Sequence, residues 1–349
     1  MKTLVGRMKK MTPYERVHAR LEGKPVDKIP NLNILMAFAS KFINADFDKF
    51  CLDYRYLVEA NLKSNEYFGI DMLNTMSDPM RELYDFGARV EFPHDSMPIC
   101  KEHFINDPSD LSKLKLFDPL SSTRMLDRIR AIELYKKETG NTYSILGWVE
   151  GAFAEACDLR GINELMVDII DEPEFVKELM DICCEEAILC AKEQIKAGVD
   201  FIGIGDAAAS LISPSMYREF VLPYEKKIIR EIHEAGGKAK LHICGNITQL
   251  LDDIWKSEAD IIDIDWMVDM ETTVEKFTGN CCINGNFDPV GVLLNGTVDD
   301  VKQAVVKCIK SGNERLFISA GCEVPKNTPY ENLKAVDDVL KVFSKDNQI

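Results

Sequence analysis

Residues 201–246 read FIGIGDAAASLISPSMYREFVLPYEKKIIREIHEAGGKAKLHICGN. A short apolar run, Phe201–Asp206, opens the stretch. An amphipathic segment over 214–235 follows, and Gly236-Gly237 stops it. A second apolar run, Ala239–Cys244, closes it. Strand, helix and strand in that order predict a parallel βαβ unit.

The same alternation extends in both directions. Apolar runs lie at Ile29–Leu35, Asp71–Met76, Tyr143–Val149, Phe201–Asp206, Ala239–Cys244, Ile261–Trp266, Cys281–Phe287 and Leu316–Ala320. Amphipathic stretches lie between them, among them Pro173–Gly198 with its terminating glycine. Eight short apolar strands of the fully buried type predict an α/β fold of the closed TIM (β/α)₈ barrel type. Residues 1–28 form an N-terminal helical extension. Its helix over 12–22 has Thr12 as N-cap, Pro13 at the first position and Glu15 completing a capping box. Residues 77–142, between the second and third runs, read as an irregular insertion. No Gly, Ser or Pro linker divides the chain, so a single domain over 1–349 is expected. An open doubly wound sheet is the alternative. It would carry a G-x-G-x-x-G or Walker motif, and the chain offers only Gly203-Ile-Gly205 on a strand.

Histidine is scarce, with five in the chain. His242 alone lies in a predicted buried strand, within Lys240-Leu-His-Ile-Cys-Gly-Asn246. Period-2 alternation puts His242 and Cys244 on one face. Gly245 and Asn246 end the strand, where barrels build their active face. Cys322, in Phe317-Ile-Ser-Ala-Gly-Cys-Glu323, holds the matching place on the last strand. One imidazole and two thiols there suit zinc, with a fourth position left open. The competing reading of each alone is packing.

Aspartates also collect at strand ends: Asp206, Asp263, Asp265 and Asp288. Helix capping accounts for Asp206 and Asp288. Support of a metal ligand, a general base or a displaceable fourth ligand are the functional readings. Tyr217, on the helix after the Phe201 strand, either reaches the mouth or packs.

At these residues the chain resembles a known family. MTPYERVHARLEGKPVDKIP, SLISPSMYREFVLPYEKKI, LHICGN, GNFDP and GCEVPKNTPYENLKA are similar to the uroporphyrinogen decarboxylase superfamily. LHICGN with a distant GCE resembles its zinc-dependent branch, the methylcobamide:coenzyme M methyltransferases. The resemblance implies a TIM barrel, Zn²⁺ on His242, Cys244 and Cys322, and transfer of a methyl group between a methylcobamide and a thiol or another one-carbon substrate. It implies that Asp206 joins the metal when the thiol is absent; by position, Asp265 is expected to orient substrate or a ligand histidine, and Asp265 and Tyr217 complete the expected catalytic set. The arginine-rich motif of true decarboxylases is replaced by Asn31-Leu-Asn-Ile-Leu-Met36. A decarboxylase-like lyase, or an enzyme that methylates the corrinoid protein from a methoxylated aromatic or a methylamine, remains the alternative. The Asp-x-His-x-x-Gly loop of corrinoid carriers is missing. Glu231-Ile-His-Glu-Ala-Gly236 reads as a helix end, so the cobamide is expected on a separate partner protein.

Composition narrows the partners. The 42 basic and 58 acidic side chains give a net charge of −16. No basic block suits nucleic acid. No apolar run reaches membrane-spanning length, and the N-terminus shows no signal peptide. The eleven cysteines, an odd number mostly within apolar runs, predict the reducing cytoplasm.

Overall fold

The computed structural model describes residues 10–277, 279 and 281–347. Its strands, in chain order, are β1 (Met72–Asn74), β2 (Val90–Glu91), β3 (Ile99–Cys100), β4 (Ser144–Glu150), β5 (Phe201–Gly205), β6 (Lys238–His242), β7 (Ile261–Asp263), β8 (Cys282–Asn284) and β9 (Leu316–Phe317). Seven form one parallel sheet in the order β1-β4-β5-β6-β7-β8-β9, while β2 and β3 pair as a small antiparallel ribbon.

The sheet closes through the segment predicted as the first strand. Residues 29–35 do not form a regular strand, because Pro30 has no N–H to donate. Asn31 alone bridges to Ile318 beyond β9, and its carbonyl accepts the Asp71 N–H at 2.8 Å, just before β1. Eight staves therefore surround the axis, one of them reduced to a single bridge. The fold is a TIM-type barrel.

Two apolar layers hold it together. One lies between strands and outer helices. The other fills the barrel, with Leu146, Trp148, Phe201, Ile261, Cys282 and Phe317 pointing inward. A Cβ on Gly203 would lie 2.3 Å from the ring of Trp148, its register partner on β4, so the glycine makes room for the neighbouring indole. That explains the Gly203-Ile-Gly205 spacing without any nucleotide. The helix Pro13–Leu21, with the expected capping box, adds Val17 to the interior layer. Arg20 donates to the Leu316 carbonyl at 2.9 Å and Arg16 pairs with Asp71 at 2.5 Å. This helix thus covers the N-terminal end of the barrel and leaves the other end for chemistry.

Two helical expectations change. The stretch 214–235 is one rod with a defect: a π-turn over Tyr217–Val221 separates a first turn from Leu222–Glu234. Pro223 cannot donate within a helix, and the wide turn absorbs the lost bond. The 77–142 insertion is irregular only to about residue 123. Arg124–Thr139 is a regular helix that packs on Tyr54–Phe68 and Pro173–Ala197. Its start is capped by Asp85, which accepts the amides of Thr123, Arg124 and Met125. That cap comes from about forty residues away, so nothing local announced it. Among the described residues no helix is long and apolar enough to cross a membrane.

Candidate metal centre and its cavity

The strand register sets one layer at the C-terminal ends of the strands. Glu150 pairs with Gly205, Gly205 with His242, His242 with Asp263, and Asp263 with Asn284. Cys244 lies two residues past His242 on the same face. Cys322 arrives from the loop after β9. One ligand atom from each of His242, Cys244 and Cys322 falls within 4.8 Å of the others. The His242 Nε2 to Cys322 Sγ distance is 3.9 Å. Donors of a tetrahedral zinc stand about 3.3–3.8 Å apart, so a small inward adjustment suffices. The residue types and spacing fit zinc.

Asp263 fixes which nitrogen faces the cysteines. Its Oδ2 bonds His242 Nδ1 at 2.8 Å and also accepts from Lys240. Its Oδ1 accepts from Asn284 Nδ2 at 2.8 Å. Burial opposes the Asp263 charge, but Lys240 and His242 more than offset it and hold the carboxyl well below the usual range. Burial alone would lower His242. The bonds to Asp263 and Cys322 overrule it and push the imidazole up to about 10. Contact between the two thiols lowers Cys244 and raises Cys322, as expected when they share one proton.

Asp265 supports the same loop. Its Oδ2 accepts the Gly245 N–H at 2.7 Å and its Oδ1 the Trp266 N–H at 2.7 Å. Glu150 was not singled out from sequence, although it continues the inward alternation of Leu146 and Trp148. Its Oε1 accepts from Arg81 at 2.8 Å, its Oε2 lies over Gly205, and it lines the same recess as His242. Burial raises its carboxyl well above the ordinary value, against the pull of Arg81. Lys240 is the other omission. A lysine inside an apolar strand, two residues before a histidine, was the available signal.

Two cavities meet at the triad. An inner recess of about 180 Å³ is walled by Met36, Met76, Met97 and Trp148 and touches His242, Cys244 and Cys322. An outer cavity of about 840 Å³ runs from Cys244 and Cys322 to the β3 ribbon and His103. The segments 31–42 and 77–142 both contribute walls, Met36 from the first and Met97 and Ile99 from the second. Met36 has a φ of 34°, a costly value for a residue with a side chain.

The uroporphyrinogen decarboxylase (URO-D) family profile matches residues 12–342. The chain belongs to this family. Among its relatives, the methylcobamide:CoM methyltransferase MtbA of Methanosarcina acetivorans is 28% identical over 342 residues, covering 96% of this chain and 99% of that protein. The uroporphyrinogen decarboxylase of Trichodesmium erythraeum is 27% identical, covering 82% of each. A solved methyltransferase from Methanosarcina mazei superposes with a TM-score of 0.88 at 23% identity, over 96% of this chain and 99% of that one. That last likeness bears on the fold and supports the URO-D barrel.

Two expected site residues, Asp206 and Tyr217, take other roles in this URO-D chain, while Asp288 is the cap it was expected to be. Asp206, expected to touch the metal, lies outside the converging triad. Its Oδ1 accepts the Ala154 N–H at 2.8 Å, at the start of the helix Ala152–Arg160. Gly151, the N-cap of that helix, has no side chain, and a Cβ there would lie 2.4 Å from Asp206 Oδ2. Asp206 therefore caps a helix, the one that begins at Ala152. Tyr217 is buried and donates to Glu225, away from both cavities. Asp288 caps its own turn through Val290 and Gly291.

Proposed function

We propose that this protein is a zinc-dependent methyltransferase that moves a methyl group between a cobamide on a separate protein and a small thiol. The convergence of His242, Cys244 and Cys322 within one coordination sphere, beneath an open cavity, carries the reading. The extent of similarity to MtbA, whose name specifies methylcobamide and CoM, supports it.

Zinc at the triad would supply the acidity that turns a bound thiol into a thiolate at neutral pH. The chain's own residues do the rest. Asp263 holds His242 with Nε2 free, and Lys240 neutralises that carboxylate. Asp265 pins Gly245, beside Cys244. The methionine and tryptophan walls of the recess keep water from the sulfur. In the transfer the thiolate lone pair forms the S–CH₃ bond while the Co–C bond pair stays on cobalt. The products are a methyl thioether and reduced cobamide, and the reverse direction uses the same residues.

The mouth suits a protein carrier. Leu211, Ile99 and Ile162 line the outer cavity and are 64%, 47% and 41% exposed. Such apolar residues around an open site favour a docking partner. All eleven cysteines are free, which supports a cytoplasmic setting. A decarboxylase acting on a polycarboxylate would need cations at this mouth, and among the described residues no lysine or arginine lines it.

The test pairs metal analysis with single-turnover demethylation of methylcobalamin by a thiol. About one zinc per chain and thiol-dependent demethylation are expected. Cys322→Ala should lose both while its melting transition persists. Full zinc and turnover in that variant would overturn the assignment.

A further inference from the structure

The charge of the cavity walls bears on the far end of the substrate. Four carboxyl groups line the two cavities: Glu150, Asp158, Asp265 and Glu323. Among the described residues, no lysine or arginine does. The nearby cations are already committed, Arg81 to Glu150 and Lys240 to Asp263.

Of the backbone amides, the other common anion receptors, two on the outer wall are already bonded to carboxylates. Asp265 occupies the Gly245 N–H and Asp206 the Ala154 N–H, both on the wall of the outer cavity. The Ser210 hydroxyl points back to the Ala207 carbonyl at 2.9 Å. An anionic group entering this space would meet four carboxyl groups and, among the described residues, no lysine or arginine; the donors on offer are the neutral Trp148 indole N–H in the recess and the His103 ring at the far end of the outer cavity. Glu323 offers the opposite partner. It follows Cys322 directly, lines the inner recess, and has a buried Oε2 with no hydrogen-bond partner.

The geometry points to a thiol substrate whose far end is an uncharged or cationic hydrogen-bond donor, a hydroxyl or an ammonium, and not a sulfonate or carboxylate. This rests on the thiol methyltransferase reading and narrows it. It also separates the chain from relatives named for coenzyme M, which is 2-mercaptoethanesulfonate.

Three thiols with one spacer test it: 2-mercaptoethanol, 2-aminoethanethiol and 2-mercaptoethanesulfonate. Each is titrated calorimetrically into the zinc-loaded and the metal-free protein at several pH values, so that affinities refer to the thiolate. The hydroxyl and ammonium thiols should bind the zinc form about tenfold or more tightly than the sulfonate. Glu323→Gln should shrink that ratio severalfold and remove any advantage of ammonium over hydroxyl. Equal or tighter binding of the sulfonate would overturn the inference and leave the methyltransferase reading standing. Zinc-dependent binding by none of the three would overturn both.

Discussion

Asp263 and His242 stand side by side in register on adjacent parallel strands, joined by a 2.8 Å bond between Oδ2 and Nδ1. The bond selects the nitrogen that can ligate, since it leaves Nε2 facing Cys322. It also explains a carboxylate inside a barrel, because Lys240 and Asn284 saturate its remaining lone pairs. Carboxylates placed behind a ligand histidine commonly contribute ten- to a hundredfold to metal affinity.

Asp263→Asn should therefore weaken zinc binding by about 10–100-fold. The amide keeps the shape and one acceptor but no charge. A competition titration against a chromophoric chelator measures it. Unchanged affinity would show that His242 is oriented by packing against Trp148, whose ring lies 5.8 Å away, and not by Asp263.

The parts of this site that follow a strand's period were legible in the sequence. Cys244 shares a face with His242 because it continues the alternation two residues past the end of β6, and Cys322 was legible as a thiol where the last strand runs out into a loop. Asp206 was misread because a strand end says nothing about which helix begins beside it. Hydrogen bonding of β5 to β4 brings it under the helix at Ala152, which lacks a capping side chain of its own. The recess was invisible for another reason. Met36, Met76, Met97 and Trp148 come from four separate segments, and a methionine carries no local signal of the space it fills. The closing stave was read as a strand because its composition is apolar, although Pro30 reduces it to one bridge.

The corrected role of Asp206 has its own consequence. Asp206→Ala removes the acceptor for the Ala154 amide and should cost about 1–2 kcal/mol of stability. Asp206→Asn keeps an acceptor oxygen and should cost less. Both variants should retain the zinc content and thiol affinity of the parent. Denaturant titration and metal analysis on the same samples decide it. A loss of zinc in Asp206→Asn, with stability unchanged, would return Asp206 to the metal.

Glu186 gives the fold a pH dependence that is independent of the metal. It lies buried on the helix Pro173–Ala197, where its Oε2 accepts the Phe117 N–H at 2.9 Å. Burial pushes its carboxyl up to about 7, and the Phe117 bond offsets only part of that. A group with a raised carboxyl pKa holds its proton in the folded state where the unfolded chain has released it. The folded state then binds more protons, so stability falls as pH rises from the ordinary carboxylate value toward 7, and the loss is complete above it. Glu186→Gln keeps the shape and the acceptor without ionising. The variant should match the parent at pH 4 and exceed it at pH 8 by on the order of 1–3 kcal/mol. Urea titrations across that range test the sign, and parallel curves for the two proteins would refute it.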